Sequence, residues 1–147
     1  MKILVSACLL GQNCKYSGGN NYNKDVVALG EKFELVPICP EVFGGLDTPR
    51  SPSEIIGDRV MNKDGEDVTE QFKCGAEQAL YIANENNCGV AVLKERSPSC
   101  GCGKIYDGSF TSTVIDGNGI ATQLFLNNGI EIYGESKINK LLDTYGE

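Results

Sequence analysis

Histidine and tryptophan are both absent from this 147-residue chain. The lack of histidine removes imidazole triads, imidazole metal ligands and imidazole acid–base catalysis in one step. Any chemistry must be carried by Cys, Glu, Asp, Ser, Lys, Arg or Tyr. No Cys-x-x-Cys pair occurs, so the paired knuckles common in structural zinc sites are missing. No apolar run approaches the ~20 residues of a membrane-spanning helix. The short run Ile3–Leu10 follows a single lysine and leads into a polar, glycine-rich turn. It reads as a strand and loop rather than a signal peptide. Basic residues are outnumbered: 13 Lys and Arg stand against 20 Asp and Glu, a formal net charge of −7. No basic cluster stands out, so neither a nucleic acid nor a membrane is an expected partner. A small uncharged or metal-bound substrate suits this balance better, and a cytoplasmic location is expected.

What is present indicates one domain with a single sizeable core, spanning 1–147. Hydrophobic residues make up 41% and charged residues 22%, both near globular averages. The seven cysteines (Cys8, Cys14, Cys39, Cys74, Cys88, Cys100 and Cys102) are odd in number. With no secretion signal, they read as reduced thiols rather than a disulfide framework.

Strands and helices alternate along the chain. Lys2–Cys8, Phe33–Cys39, Gly89–Glu95 and Ile130–Glu135 read as strands. Pro37 weakens the second of these, because proline donates no ladder hydrogen bond. Helices are predicted around Val26–Leu29, from Thr69 to about Asn87, over Gly119–Asn127, and over Ser136–Thr144 with Ser136 as cap. The stretch Cys39–Glu54 contains Pro40, Pro49 and Pro52 and reads as a long irregular loop, a frequent location of function. A small hairpin is predicted over 55–69, turning at Asp64-Gly65. A second irregular or hairpin segment follows at 105–119. The pattern predicts an α/β fold: a three-layer α/β/α, Rossmann-like domain with a mainly parallel sheet and a small hairpin insertion.

Cys8 and Cys39 close the first two strands, and Cys100 lies five residues beyond Glu95. In an open parallel sheet the strand carboxyl ends share one edge, where ligands bind. Three cysteines far apart in sequence should therefore meet. Clustered thiolates repel unless a cation holds them, so a soft metal centre is expected, either zinc or an iron–sulfur cluster. Three thiolates on a [4Fe–4S] cluster would leave one iron open, which suits catalysis. Cys74 and Cys88 read as core filling, Cys14 as peripheral, with a supporting or redox role beside the site as the alternative, and Cys102 as a rival to Cys100. A phosphate-binding Cys-x5-Arg loop is excluded, because the sixth residue after Cys8 is Cys14.

The motifs ACLLG (7–11), CPEVFGGL (39–46), KERSPSCG (94–101) and KIYDGSF (104–110) resemble the domain of unknown function 523 family, whose characterised members are thiouracil desulfidases. The resemblance implies a [4Fe–4S] cluster on Cys8, Cys39 and Cys100, the set chosen above from strand ends. It also implies hydrolytic, non-redox loss of sulfur from a thiolated base or nucleoside such as 4-thiouracil, giving uracil and sulfide, with the substrate sulfur on the open iron. Glu41, two residues beyond a ligand, is the candidate acid–base residue. Ser97 and Ser99 are candidate proton relays or substrate hydrogen-bonders, with no choice between them. Lys94, Glu95 and Arg96 are candidates for orienting the substrate or loop. Gly44, Gly45 and Gly101 are expected to let backbone approach the cluster, and Asp47 and Arg50 to fix the loop. The alternative is a non-catalytic zinc, iron–sulfur or sulfur-binding protein using the same thiols.

Overall fold

The computed structural model describes residues 1–146. Four strands form one wholly parallel sheet: β1 (Lys2–Ser6), β2 (Glu34–Ile38), β5 (Val90–Leu93) and β8 (Glu131–Gly134), in the order β2-β1-β5-β8. Pro37 sits in β2, an edge strand, facing Val5 in register. An edge strand is where proline is tolerated, since a missing N–H on the open side removes no ladder bond.

The central strands carry unbroken apolar runs, Ile3–Val5 in β1 and Val90–Leu93 in β5, because both faces are covered. Ile3, Val5, Val90 and Val92 point to one side. There they pack with Val26 of α1 (Lys24–Ala28), with Leu29, and with Ile138 and Leu141 of α5 (Ile138–Tyr145). Leu4, Ala91 and Leu93 point to the other side, onto Ala76, Ala79 and Ala83 of α3 (Thr69–Glu85) and Ala121 and Phe125 of α4 (Ile120–Asn127). The expected three layers are therefore present. Phe125 is fully buried, and its truncation to alanine would cost about 3–5 kcal/mol.

Two hairpins lie outside the main sheet. β3 (Ser53–Ile56) pairs with β4 (Arg59–Asn62), and β6 (Lys104–Tyr106) with β7 (Val114–Asp116), both antiparallel. β3 and β4 turn at Gly57-Asp58, where Gly57 has φ +63, and the turn expected at Asp64-Gly65 is also present, returning the chain antiparallel along β4 with Met61 bridged to Asp67. This second turn is closed by Gly65 N–H to the Asn62 carbonyl. The stretch read as irregular holds a short helix, α2 (Pro40–Phe43), whose first residue is proline, a position where the missing N–H is harmless. Ser136 does not cap α5: it lies in a 3-10 turn and bonds to Glu95. Cys74 is exposed on α3 rather than core, whereas Cys88 is buried as expected. No helix among the described residues is long and apolar enough to cross a membrane.

Candidate active site

Cys8 and Cys39 stand close to where the strand argument put them, but just outside the strands. β1 ends at Ser6, and Cys8 lies in the 3-10 turn Ala7–Leu10 that follows it. β2 ends at Ile38, and Cys39 is the extended residue that opens α2. Cys100 lies on the loop between β5 and β6. That loop is fixed from beneath by α4. The first N–H groups of a helix have no partner of their own; here Ile120 N–H donates to the Pro98 carbonyl and Ala121 and Thr122 N–H to the Ser99 carbonyl. The Thr122 hydroxyl donates to the Cys100 carbonyl at 2.7 Å. Gly119 permits this contact: a Cβ there would fall 2.5 Å from Ser99 backbone carbon.

All three cysteines line one cavity of about 640 Å³, together with Cys14, Glu41, Arg50, Lys94, Ser97 and Ser99. That volume lies within the range of small-molecule sites. The expected convergence is thus present, and it includes Glu41 and both serines. Cys100 lines the cavity, whereas Cys102 is exposed and does not.

The thiols differ in environment. Cys100 is buried, and loss of hydration pushes its thiol up to about 12, against hydrogen bonds from Ser6 and Ser99 that favour the thiolate. Burial also raises the Cys8 thiol, opposed by Asn21, whose amide donates to Cys8 Sγ at 3.3 Å. Cys39 is lowered to about 7, chiefly because the Cys14 thiol donates to it, with help from the Val42 N–H. Cys14 is correspondingly raised. When protonated, Cys39 Sγ donates instead to the Cys14 carbonyl, at 3.8 Å. Cys14, read from sequence as peripheral, is therefore a direct neighbour of a predicted ligand. Its position six residues after Cys8, on a loop folding back to the same edge, was the available signal.

The polar wall forms a chain. Ser97 Oγ accepts from the N–H groups of Ser99 and Cys100, both at 3.1 Å, which directs its own proton to Ser99 Oγ, 3.0 Å away. Ser99 Oγ donates onward to Glu41 Oε2 at 3.0 Å and lies 3.6 Å from Cys100 Sγ. Glu41 Oε1 pairs with Arg50 Nε at 3.2 Å, with side chains 16% and 9% exposed. At that burial each charge needs its partner. Arg50 fixes the loop as expected, donating to the Asp47 carbonyl and the Thr48 hydroxyl. It also holds Glu41 directly and reaches the Cys14 carbonyl at 2.8 Å. Lys94 reaches Glu135 at 2.7 Å, and its N–H donates to Ser6 Oγ.

The glycines serve a different purpose from the one expected. A Cβ on Gly44 would fall 1.9 Å from the Gln71 carbonyl, and one on Gly75 would fall 1.7 Å from the Pro40 carbonyl. α2 thus lies backbone to backbone on α3, which sets Cys39 and Glu41 against the core. Gly101 approaches the Ser97 and Lys104 carbonyls within its own loop, and Gly45 supplies a φ of +93.

The donor set bears on which centre fits. Among the described residues, no three Cys, Asp or Glu are gathered tightly enough to hold a single metal ion. A tetrahedral zinc holds each thiolate at about 2.3 Å from one point. Three thiols spread around one cavity instead suit a body with several metal atoms, and thiolates are the usual ligands of iron–sulfur clusters.

Comparison with known proteins agrees. The profile of the 2-thiouracil desulfurase family matches residues 3–137. The uncharacterized protein YbbK of Bacillus subtilis (strain 168) is 39% identical over 150 residues, covering 95% of this chain and 99% of YbbK. The solved structure of TudS, a [4Fe-4S]-dependent thiouracil desulfidase, superposes with a TM-score of 0.92 at 41% identity, covering 99% of this chain and 97% of that one. With the family profile spanning most of its length and the fold and cavity as described, this chain belongs to the 2-thiouracil desulfurase family.

Proposed function

We infer that this protein hydrolyses the C=S bond of a thiolated pyrimidine such as 4-thiouracil, releasing uracil and sulfide. Cys8, Cys39 and Cys100 would hold a [4Fe–4S] cluster, and Glu41, Ser99 and Ser97 would manage protons. One observation carries this reading: the chain from Ser97 through Ser99 to Glu41 runs along the wall of the cavity that the three thiols line. A cluster held by three thiolates supplies an iron with a vacant coordination position, a Lewis acid toward a thiocarbonyl sulfur.

The protein's own groups account for the remainder. Replacing sulfur by water's oxygen requires that water lose its protons and that the departing sulfide gain them. Glu41 is held by Arg50 through Oε1, which leaves Oε2 as the acceptor facing the cavity and Ser99. Glu41 takes a proton from water at Oε2, and the Ser99 hydroxyl is placed to pass a proton on. Ser97 orients Ser99 and fixes the backbone that presents Cys100. The Arg50 pair keeps the base in one position, so less of the barrier goes into orienting it.

Anaerobic reconstitution followed by incubation with 4-thiouracil tests the reading. Stoichiometric uracil and sulfide are expected, with Glu41→Gln reducing kcat at least ~100-fold at unchanged iron content. A reconstituted protein that binds iron and sulfide but releases no uracil would make the non-catalytic alternative correct. Full activity in Glu41→Gln would remove Glu41 from its role.

A further inference from the structure

Four non-glycine residues among those described have left-handed φ: Asn87, Arg96, Phe110 and Ser112. Three of them, Arg96, Phe110 and Ser112, line the cavity. Phe110, at φ +58, is the most unusual, because a bulky side chain rarely adopts that region. Such conformations persist only where their surroundings force them, and they concentrate at functional sites.

The surroundings that force Phe110 are on a different hairpin. Glu54 of β3 has only 9% of its surface exposed, and its Oε1 accepts from the Gly108 N–H at 3.0 Å and the Phe110 N–H at 3.1 Å. No lysine or arginine pairs with it among the described residues. A nearly buried carboxylate is costly without strong partners, and here it is directed at the two backbone groups that bracket the tip of the β6–β7 loop. Gly108 lies hard against β3: a Cβ there would fall 2.4 Å from Ile56 Cγ1. The loop base is closed by Asp107 N–H to the Thr113 carbonyl at 2.9 Å. The two hairpins thus act together to hold Phe110 at a cavity that Tyr16, Tyr106 and several prolines also line; of these three aromatic residues, Phe110 is the one with a left-handed φ and a backbone N–H fixed by a nearly buried carboxylate from another hairpin.

We propose that Phe110 is the stacking face for the flat heteroaromatic ring of the substrate, and that Glu54 is the positioning residue that holds it there. Polar groups can grip the rim of a thiolated pyrimidine, but its two faces are apolar π surfaces that need an aromatic or aliphatic partner. Stacking is indifferent to the exocyclic atom, so the same contact would bind the oxygen-bearing product. This inference rests on the desulfidase reading for the identity of the ring, but not for the existence of the stacking surface.

The test uses the reconstituted protein with two readouts: steady-state kinetics with 4-thiouracil, and isothermal titration with uracil, which has no sulfur to engage a metal. In Phe110→Leu, KM for 4-thiouracil and Kd for uracil should both rise about tenfold while kcat changes little. Phe110→Tyr, which restores a ring, should stay near the wild type. Glu54→Gln keeps an oxygen acceptor for the two N–H groups and should also stay near it, whereas Glu54→Ala should follow Phe110→Leu. If Glu54→Ala fails to fold, the Phe110 pair decides. Unchanged uracil affinity in Phe110→Leu, or equal losses in Phe110→Leu and Phe110→Tyr, would overturn the proposal. Failure of the wild type to release uracil from 4-thiouracil would overturn the desulfidase reading instead, and the uracil titrations would still decide the stacking face.

Discussion

Replacing Gly75 by alanine separates two opposed expectations. Gly75 is in the middle of α3, where helix propensity alone favours alanine by about 1 kcal/mol. The structure predicts the opposite sign. The added Cβ would lie 1.7 Å from the Pro40 carbonyl oxygen and 3.0 Å from Gly44 N. The obstacle is backbone, so no rotamer change relieves it, and α2 must retreat from 1.7 Å to at least 3.0 Å, a shift of about 1.3 Å. Overpacking of this kind costs about 1–3 kcal/mol, which offsets the propensity gain and leaves a net loss. Function should suffer more than stability, because Pro40 lies between Cys39 and Glu41, and misplacing a catalytic group by ~1 Å can cost ~100-fold in rate. Urea unfolding and turnover of 4-thiouracil by the reconstituted variant should be measured beside Gly89→Ala, where a Cβ meets nothing within 4 Å. A Gly75→Ala protein as stable as the wild type, with full activity, would refute the claim that this helix contact positions the site.

Other perturbations bear on the thiols and the ion pair. In the cluster-free protein Cys39 should react with iodoacetamide at neutral pH faster than an ordinary thiol, and Cys14→Ala should slow it by returning its pKa from about 7 toward the usual cysteine value. Cys100 has a folded pKa raised to about 12, so its contribution to stability is complete below the unfolded value near 9 and is lost as pH rises toward 12. Cys100 alone should contribute a loss of up to about 1.4 kcal/mol per pH unit in that window, so by chemical denaturation at pH 7, 9 and 10 the cluster-free wild type should lose stability more steeply than Cys100→Ala. Arg50→Met should lower kcat without removing iron, and added guanidinium should restore part of the rate; unchanged kcat would show that the pair with Glu41 is dispensable.

The parts of this protein legible from sequence were those with local or topological signals. The apolar runs in β1 and β5 lie between two helical layers, and their alternation with helical segments along the chain indicated the parallel sheet. Cys8, Cys39 and Cys100 were identified because strand ends of a parallel sheet share an edge, which needs no knowledge of side-chain geometry. What was missed depends on contacts distant in sequence. The Glu41–Arg50 pair joins α2 to a proline-rich loop, and Glu54 reaches across to a loop more than fifty residues away. Gly44 was expected to let backbone approach a cluster and Gly75 carried no signal at all, yet together they are the contact points where two helix backbones touch. The hairpin turn at Asp64-Gly65 was legible, but Gly57-Asp58 is an equally good turn signal and makes a further one, so the chain runs back and forth three times over this stretch.

Iron and sulfide content after anaerobic reconstitution tests the central claim most directly, measured on the wild type and on single serine variants of Cys8, Cys14, Cys39, Cys100 and Cys102. The account predicts about four iron and four sulfide per wild-type chain, retained in the Cys14 and Cys102 variants and lost when Cys8, Cys39 or Cys100 is replaced. A single tightly held metal ion per chain, or a loss in the Cys14 variant equal to that in the Cys39 variant, would contradict it.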